Sequence, residues 1–589
     1  METSVLSTLE NIEEFASEDT LKQVDDAVKR VIENYRNYQG QEKNLQDDKD
    51  VLYLASHPRE SLMSFYKILK IAEKADSEHD DESQPDLVPK QPFNNVNLFH
   101  RMPAGFVRKT PKNKDDLINI IQEAADQKKN IKAVGSCYAF SNISFTDGVI
   151  IEMNKYLHNI LEIDQTVLRK STNVDELCQM EAGTLIESIL EHLWPEKERD
   201  KVQGYRTMMN QTGYNGLSIA GTTGTGAHGS GIDKPPIPDC IESMHLITLD
   251  ENFKVKQYRI EPSNGITSPK KFKAKYPDVK LIQDDIQFYA TTVHVGALGV
   301  VYSYIIKVQP AFYLEEDRKI FNWDNVKAMI PDLVKRNLKK PTDPDYIHSF
   351  EVWISPYPPL YGNMIWAVIS TYKLAPPKRK NKRPFSFSTS NIENELIRKL
   401  TVWCSRNLQE LLPLVMFIAL WTTVEREPVT MPSTEALSFG SPNGVKVLTS
   451  ENGIDASNPE TPIKAVDAMI AEYQNSLQED NRFFTTAPFS MRFTAPSKSF
   501  LAMQYKRPSC MVETPILLGT FGQHSTLSRT RNLVQSDYKS RPHWGQINNM
   551  TGKKLKELYP DSYKKFLTVY KKFNVSQLFS NYFTKDFDE

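Results

Sequence analysis

Residues Ile219–Gly231 read I-A-G-T-T-G-T-G-A-H-G-S-G, a stretch in which glycine recurs among small hydroxyl and methyl residues and one histidine. Glycine adopts backbone conformations closed to other residues and lets the main chain approach a ligand. Successive backbone N–H groups in such a turn point inward and form an anion-binding concavity. The stretch therefore predicts a site for an anion such as a diphosphate.

A second glycine-serine loop lies upstream in Ile131–Ser141, which reads I-K-A-V-G-S-C-Y-A-F-S. It ends a predicted short strand and leads, through the turn 146–148, into the apolar run Val149–Ile151. Two separated loops of this composition indicate a diphosphate-containing cofactor more strongly than one loop does.

Two common phosphate-binding motifs are disfavoured. Gly224–Gly229 matches G-x-G-x-x-G, but that motif needs a strand before it and a helix that begins within it. The run 230–236 that follows here contains Gly231 and two prolines, and it cannot open a helix. A Walker-type loop is excluded because no Gly-Lys-Ser/Thr follows the glycines.

Together the two loops resemble the FAD-binding domain of the vanillyl-alcohol oxidase family, the PCMH-type flavoproteins. A third segment, Phe288–Leu314, is similar to the family's strand past the adenine end of FAD. The resemblance implies FAD as cofactor, while the scattered cysteines indicate no zinc site, so we expect no metal. The residues it assigns to FAD binding are Val134, Gly135, Ser136, Cys137, Tyr138, Ala139, Ser141, Gly221, Thr222, Gly224, Thr225, His228, Gly229, Gly231, Gly299 and Val300.

The first loop departs from the family at the residue that would bond the flavin. Members with covalent flavin carry His there, whereas this chain has Tyr138, so the resemblance implies tight but non-covalent FAD. Cys137 matches a family glycine and is expected to be a small buried residue rather than a thioether link. His228 is expected to orient the backbone beside the diphosphate rather than to act as a base.

The end of the chain indicates one branch of the family. Arg541–Gly545 and Leu578–Phe583 look like the aldonolactone and alditol oxidases, and the whole resemblance spans roughly residues 91–585. The implied fold is α+β, with a PCMH-type FAD-binding domain of two α/β subdomains and an α+β cap that contains an antiparallel sheet.

We expect four regions along the chain. Residues 1–90 form an N-terminal helical extension and an acidic linker at Asp76–Pro89, because apolar residues recur at helical spacing before the charged, proline-bounded stretch. The FAD-binding domain occupies 91–310 and the cap 311–555. Residues 556–589 return to the FAD-binding domain.

In the aldonolactone branch the substrate site comes from a Glu-x-Arg-Phe strand and a His-Trp-x-Lys segment. This chain has S-M-R-F at 490–493 and H-W-G-Q at 543–546, so Arg492 and His543 match, whereas Ser490 and Gln546 replace charged residues. Arg492 is expected to stabilise negative charge on the reduced flavin. Glu351 is a further carboxylate candidate. The family's sterol-oxidising branch suggests a more apolar pocket, which Trp353, Trp366, Phe417, Trp421 and Phe489 would line.

These residues predict an FAD-dependent oxidoreductase that oxidises a CH–OH group of a sugar lactone, a polyol or a sterol-like alcohol by hydride transfer to flavin N5. O2 or another electron acceptor is expected to reoxidise the flavin. The loss of two charges favours an alternative, a flavin-binding protein without turnover that acts as a scaffold or interaction module.

Composition narrows the class of protein and its location. The net charge of −2 argues against a broad nucleic-acid-binding face. The five cysteines are scattered without a C-x-x-C pair, which favours a reducing compartment. The N-terminus lacks the basic and apolar regions of a secretory signal, so we expect a cytoplasmic protein.

One apolar run leaves two interpretations open. Leu411–Val424 is shorter than the ~20 residues that span a bilayer, which favours a buried helix in the cap. The basic loop Pro376–Pro384 upstream leaves peripheral membrane contact as the alternative.

Overall fold

The computed structural model describes residues 17–36, some positions between 50 and 65, and then 105–358, 364–377, 400–406, 409–421, 423–424, 427–438, 447–476 and 484–588. The predicted linker Asp76–Pro89 and most of the basic loop Pro376–Pro384 lie outside these residues. Helix α1, Glu18–Arg36, is the helix that the N-terminal periodicity predicts. Its apolar face is buried in the core of the cap through Val24, Ala27, Val28 and Val31.

The first glycine-serine loop begins at the end of a strand in a small parallel sheet. Its strands are β1 (Val107–Lys109), β2 (Ile131–Val134) and β3 (Val149–Glu152), in the order β1-β3-β2. Helix α2 (Lys114–Asp126) joins β1 to β2, and the side chain of Asn113 caps it by accepting the N–H of Asp116 at 2.9 Å. Strand β2 therefore ends where the Gly135 loop begins.

A second, mixed sheet completes the FAD-binding region. Its order is β4-β5-β10-β7-β8-β9, with β6 also paired to β10, and only β8 and β9 are parallel. Its elements are β4 (Ile160–Leu161), β5 (Leu177–Glu181), α3 (Ile186–Leu193), β6 (Arg206–Met208), α4 (Ile219–Gly224), β7 (Ile241–Leu249), β8 (Val255–Glu261), α5 (Pro269–Lys275), β9 (Val279–Gln283), α6 (Asp285–Thr291) and β10 (Val300–Pro310).

The cap is built on an eight-stranded antiparallel sheet with the order β14-β11-β13-β12-β16-β17-β15-β18. The α+β class expected from the sequence is confirmed. Its elements are β11 (Tyr313–Asn322), α7 (Trp323–Asn337), β12 (Ser349–Ser355), β13 (Trp366–Ala375), α8 (Leu412–Trp421), β14 (Val429–Pro432), α9 (Ser433–Ala436), β15 (Val447–Asp455), α10 (Glu460–Ser476), β16 (Phe489–Thr494), β17 (Ser509–Leu517), α11 (Gln523–Tyr538) and β18 (Arg541–Pro542).

Helix α8 is the apolar run for which the sequence left two interpretations. It is apolar on every side, and eight of its ten residues are buried against the cap. Such a helix belongs in a protein core, so the prediction of a buried cap helix is confirmed. Among the helices of the described residues, none combines the length and the apolar character that a bilayer span requires.

The chain returns to the FAD-binding region through α12 (Gly552–Leu558) and α13 (Tyr563–Phe573). Their apolar residues share one core with β2, β7 and β10. The N–H of Ile131 donates to Leu578 O at 2.7 Å, and Asn581 Nδ2 donates to Phe145 O at 2.8 Å. The C-terminal segment thus fixes both ends of the first glycine-serine loop.

Candidate active site

One cavity of about 640 Å³ lies between the two glycine-rich segments and the cap sheet. Its wall on one side comes from the loops after β2, around α4 and before β10. The opposite wall comes from β12, β15, β16, β17 and the segment after β18. Cavities for small molecules and cofactors have volumes of roughly 300–1,000 Å³. The dimensions therefore suit a bound cofactor together with a small substrate.

The first loop needs glycine and a left-handed turn. A Cβ at Gly135 would overlap the Oγ and Cβ of Ser218, so only glycine lets the loop approach the second segment. Cys137 has φ +55°, a left-handed conformation in which the family has glycine. Burial raises the pKa of the Cys137 thiol to about 12, which keeps it protonated, but the residue is only partly buried and lines the cavity instead of lying in the core.

The second segment is more regular than a continuous turn. Its first half forms helix α4, which Ser218 caps by accepting the N–H of Gly221 at 3.4 Å. The expectation of an uninterrupted loop over Ile219–Gly231 is therefore wrong for residues 219–224. Helix α4 ends at Gly224, where the G-x-G-x-x-G match begins, so no helix starts within that match.

Buried polar atoms in this wall fit a diphosphate. Lys132 is fully buried, and its Nζ donates to Gly296 O at 2.9 Å. Burial lowers the pKa of Lys132 to about 7. His294 Nδ1 accepts the N–H of Gly296, so the proton lies on Nε2, which has no partner among the described residues, as is also true of Ser136 Oγ. Both residues line the cavity, with His294 Nε2 next to Gly224, and an anionic group there would satisfy these donors.

Most of the residues assigned to FAD line this cavity. Ser141, Gly229 and Gly231 do not line it, and each makes a different contact elsewhere. The Oγ of Ser141 donates to Trp544 O at 2.7 Å, which ties the first loop to the segment after β18. Gly229 packs where a Cβ would overlap Asn210 and Gln211, and Gly231 N–H donates to Phe493 O at 2.6 Å on β16.

Tyr138 stands in the cavity wall where covalent members have His. Its hydroxyl accepts a hydrogen bond from Tyr214 at 2.5 Å, and the ring centroids are 4.6 Å apart. A phenol lacks the ring nitrogen of a histidyl-flavin link. The geometry therefore fits FAD held by contacts alone.

The cap wall is a cluster of buried charges centred on Arg492. Its Nη2 donates to Glu513 Oε2 at 2.7 Å and lies 3.5 Å from Glu451 Oε1. Burial works against the charge on Arg492, but Glu513, Glu451 and Glu351 together raise its pKa. The guanidinium is thus fixed as a cation in the cavity wall, and its Nε is still unpartnered among the described atoms.

Glu451 links this cluster to the second glycine-rich segment. Its Oε1 lies 3.2 Å from His228 Nε2, while His228 Nδ1 faces Gly229 O at 2.9 Å, so both ring nitrogens face acceptors. Burial opposes ionisation of Glu451, but His228 and Arg492 hold its pKa below the ordinary value. In Glu513, burial is stronger than the effect of Arg492, and the pKa is raised.

His543 is placed as a hydrogen-bond donor rather than a base. The N–H of Gly545 donates to His543 Nδ1 at 3.0 Å, which leaves the proton of the neutral ring on Nε2. Burial lowers the pKa of His543 to about 4, and Glu451 opposes this only in part. Gln546 Nε2 lies 3.3 Å from Glu513 Oε1, and Gln546 Oε1 has no partner among the described residues.

Some predicted site residues are placed elsewhere. Ser490, Arg492, His543 and Gln546 line the cavity, whereas Glu351 is buried beside Arg492 without lining it. Of the five aromatic residues suggested for a sterol pocket, only Trp353 lines the cavity. Phe489 projects from the opposite face of β16, and the Phe417 ring contacts Trp366 at a tilt and Trp421 edge-on, with centroids 5.7 and 5.6 Å apart.

Sequence reasoning missed Glu451, Glu513, Lys132 and His294. The available signal was a single charged residue within an otherwise apolar strand, as in C-M-V-E-T-P-I-L at 510–517 and I-K-A-V at 131–134. Charged residues are rarely fully buried unless they are paired or bind something. Strand register determines which of these charged residues lie close together, and the sequence does not give the register.

Family models match both halves of the chain. A model described as "FAD binding domain" matches residues 105–254, and one described as "D-arabinono-1,4-lactone oxidase" matches residues 306–587. The matched ranges include the glycine-rich segments and the whole charged cluster of the cap.

Curated relatives and solved structures agree with these models. The chain is 22% identical to an L-gulono-1,4-lactone dehydrogenase of Mycobacterium tuberculosis, over 82% of this chain and 95% of that protein. It is 22% identical to an L-gulonolactone oxidase of Scyliorhinus torazame, over 81% and 94%. A structure titled "Solvent-stable cholesterol oxidase" shares the fold with a TM-score of 0.63 at 14% identity, covering 86% of this chain and 99% of that one.

The fold and the site define an FAD-binding oxidoreductase with a PCMH-type cofactor domain and an α+β cap. The two family models together match residues 105–254 and 306–587, so the resemblance to FAD-binding proteins of the aldonolactone branch that the sequence predicts is confirmed.

Proposed function

We propose that the protein oxidises a CH–OH group of a sugar lactone or polyol to C=O, with non-covalent FAD as hydride acceptor and release of the hydroxyl proton to solvent. The observation that carries this proposal is a single cavity in which FAD-type loops face a buried cation, two carboxylates and a histidine donor. Fixed charges aimed into a water-poor cavity stabilise the charge that develops during reaction.

FAD, when bound, supplies the acceptor for the hydride at flavin N5. Arg492 holds a positive charge in the wall, where it stabilises negative charge on the cofactor or on a substrate oxygen. His543 presents an N–H at Nε2 and orients an oxygen atom by donating to it. Residues of helix α4 and of the Gly135 loop line the cavity and would hold the cofactor there.

Two features of the cavity and the names of two relatives favour a polyhydroxylated substrate over a sterol. The cap wall presents Arg492, Glu513, Ser490 and Gln546, whose polar atoms match hydroxyl and carbonyl groups. Only one of the five aromatic residues expected in a sterol pocket lines the cavity. Two curated relatives at 22% identity are named for gulonolactone oxidation, which supports a lactone.

The electron acceptor and the location complete the proposal. The relatives include both a dehydrogenase and oxidases, so we propose O2 or another acceptor for flavin reoxidation. We propose a cytoplasmic location, with peripheral membrane contact as the alternative that sedimentation with membranes through a high-salt and alkaline wash would reveal.

Anaerobic mixing of the FAD-replete protein with a panel of lactones, polyols and sterols tests the function. We expect flavin absorbance to bleach with a lactone or polyol and to recover on addition of an acceptor. Bleaching with sterols alone would contradict the substrate class. Absence of bleaching with every compound, despite bound FAD, would favour a scaffold without turnover.

A further inference from the structure

Residue 490 is serine where the aldonolactone branch has glutamate, so the motif itself provides no carboxylate for the substrate. We propose that Glu513, directly across the sheet from Ser490, supplies that carboxylate and accepts a hydrogen bond from a substrate hydroxyl. This inference rests on the proposed function, and it names the residue of the same site that recognises a polyhydroxylated substrate.

The first observation in support of this proposal is the strand register of the cap sheet. Trp353, Ser490, Glu513 and Glu451 lie opposite one another in a row across β12, β16, β17 and β15. Residues directly opposite in antiparallel strands project from the same face, with Cβ atoms about 4.5–5.5 Å apart. All four line the cavity. A carboxylate on residue 513 therefore reaches the volume that a carboxylate on residue 490 would occupy.

The second step is that Glu513 is available to a ligand and Glu451 is not. The Glu451 side chain is 3% exposed and is held between His228 and Arg492. The Glu513 side chain is 23% exposed toward the cavity. The two carboxylates thus have different roles, because Glu451 joins the cap to the FAD-binding region while Glu513 faces the space for substrate.

The third step counts acceptor sites on Glu513. Its donors within hydrogen-bond distance are Arg492 Nη2 at 2.7 Å, Thr449 Oγ1 at 3.0 Å and Gln546 Nε2 at 3.3 Å. A carboxylate offers about four lone-pair sites, so these donors leave room for one more. They also fix the carboxylate in one orientation, which is how a site recognises a hydroxyl at one position of a ring.

The chemistry that fits is a neutral hydroxyl of a polyol or hydroxylated lactone. A hydroxyl donates a short, charge-assisted hydrogen bond to a carboxylate, whereas an anionic substrate group would be repelled by Glu513. An analogue that lacks this hydroxyl leaves the carboxylate without its partner and is discriminated against. Glu513 is thus a substrate-contacting specificity residue, placed beside Arg492 by the sheet register.

The test exchanges the two positions. Glu513→Gln, Ser490→Glu and the double variant Ser490→Glu/Glu513→Ser are compared with wild type in anaerobic flavin reduction, using the most active lactone or polyol and its deoxy analogues. We expect Glu513→Gln to lower kcat/KM roughly 10–100-fold, the range for losing a hydrogen bond to a charged group. Glu315→Gln, on the same sheet in β11 and away from the cavity, is the control.

The double variant separates substrate contact from structural support of Arg492. It keeps the same number of carboxylates in the row and moves one of them from position 513 to position 490, so we expect it to fold with FAD and to recover most of the loss in Glu513→Gln. Wild type should prefer the hydroxylated substrate over one deoxy analogue, and Glu513→Gln should lose that preference. A purely structural role would lower the rate for both compounds equally.

Three results would overturn the inference. Reduction of Glu513→Gln within about threefold of wild type, well below the expected factor, removes Glu513 from substrate contact and leaves the proposed function standing. A double variant that folds without recovery, or one that fails to fold, removes the equivalence of the two positions. Wild type that no lactone or polyol reduces would overturn the proposed function, and this inference with it.

Discussion

The two walls of the cavity are built by different means. The FAD-binding wall depends on backbone shape: Gly135 where a Cβ would overlap Ser218, a left-handed Cys137, and a capped helix of glycine and threonine. The cap wall depends on side-chain charge, with Arg492, Glu451 and Glu513 brought together from three neighbouring strands.

The comparison shows which wall of the site short sequence motifs encode and which wall they do not. A backbone cradle is encoded locally, because each glycine is required by its own turn and by contacts of the same loops. A charge cluster on a sheet is determined by strand register. A charged residue on one strand can therefore replace a charge that is lost at the paired position of the neighbouring strand. We expect substitutions in the first wall to affect FAD retention and those in the second to affect the rate of flavin reduction.

The largest expected effect is all-or-none. Because Tyr138 replaces the histidine of covalent members, acid precipitation should release all the flavin into the supernatant. Absorbance and fluorescence of the two fractions measure this. Flavin fluorescence that stays with the washed pellet would show a covalent bond and would contradict a wall that holds FAD by shape and contact alone.

Arg492→Ala should lower the rate of flavin reduction by roughly 10²–10³, because a fixed cation that stabilises developing charge is lost. The structure adds a second effect, since Glu451 and Glu513 are then left buried without their cation. Breaking a buried pair costs about 3–5 kcal/mol of stability. Stopped-flow reduction is therefore measured on folded, FAD-replete protein, with thermal unfolding recorded in parallel.

Arg492→Lys is the matched variant for this prediction. It keeps the charge but loses the planar guanidinium, whose Nη2 lies beside both carboxylates, so we expect partial recovery of the rate. Normal reduction kinetics in Arg492→Ala, together with poor FAD retention, would assign Arg492 a structural role and remove the functional contrast between the two walls.

Gly135→Ala should affect the opposite wall. The added Cβ would overlap the Ser218 side chain, and such overpacking costs about 1–3 kcal/mol. We expect roughly 10-fold or greater loss of FAD affinity, since RT ln 10 is about 1.4 kcal/mol, with normal reduction in the protein that retains FAD. The double variant Gly135→Ala/Ser218→Gly removes the overlap and should recover affinity. No recovery would mean that the loop, rather than this contact, sets the affinity.

Lys132→Met should have opposite effects on FAD binding and on apoprotein stability. If the ammonium faces the diphosphate, its loss removes a charge-assisted contact of about 1.5–3 kcal/mol, or roughly 10–100-fold in FAD affinity. The same change should stabilise the apoprotein, because a buried charge without a counterion is removed. Fluorescence titration with FAD and unfolding of the apoprotein measure the two effects, and equal FAD affinity in both proteins would contradict the assignment.

The pH dependence of apoprotein stability adds a check. The folded pKa of Lys132 is about 7, below its ordinary 10.5, so the unfolded chain binds more protons between those values. Stability of the wild-type apoprotein should therefore rise with pH through that window relative to Lys132→Met. Parallel stability curves for the two proteins would show that this lysine does not titrate as its burial implies.

The sequence by itself determined the cofactor class and much of the cofactor wall. Gly135, Tyr138, Gly221 and His228 were assigned from two short motifs, and all line the cavity. This succeeded because the turns of a phosphate-binding loop are fixed by residues a few positions apart, which a single sequence displays directly. Helix α4 was missed because four of its six residues are glycine or threonine, which have low helix propensity, and the Ser218 cap and the surrounding core override that propensity.

Only the tertiary structure decided which charges form the cap wall. Arg492 and His543 were assigned from motifs, but Glu513 lies more than 20 residues from Arg492 along the chain and meets it through the register of β16 and β17. Strand alternation tells which residues share a face of one strand, yet it does not say which strands are neighbours. The loss of a carboxylate at Ser490 therefore appeared complete in the sequence, whereas the folded sheet places Glu513 directly beside that position.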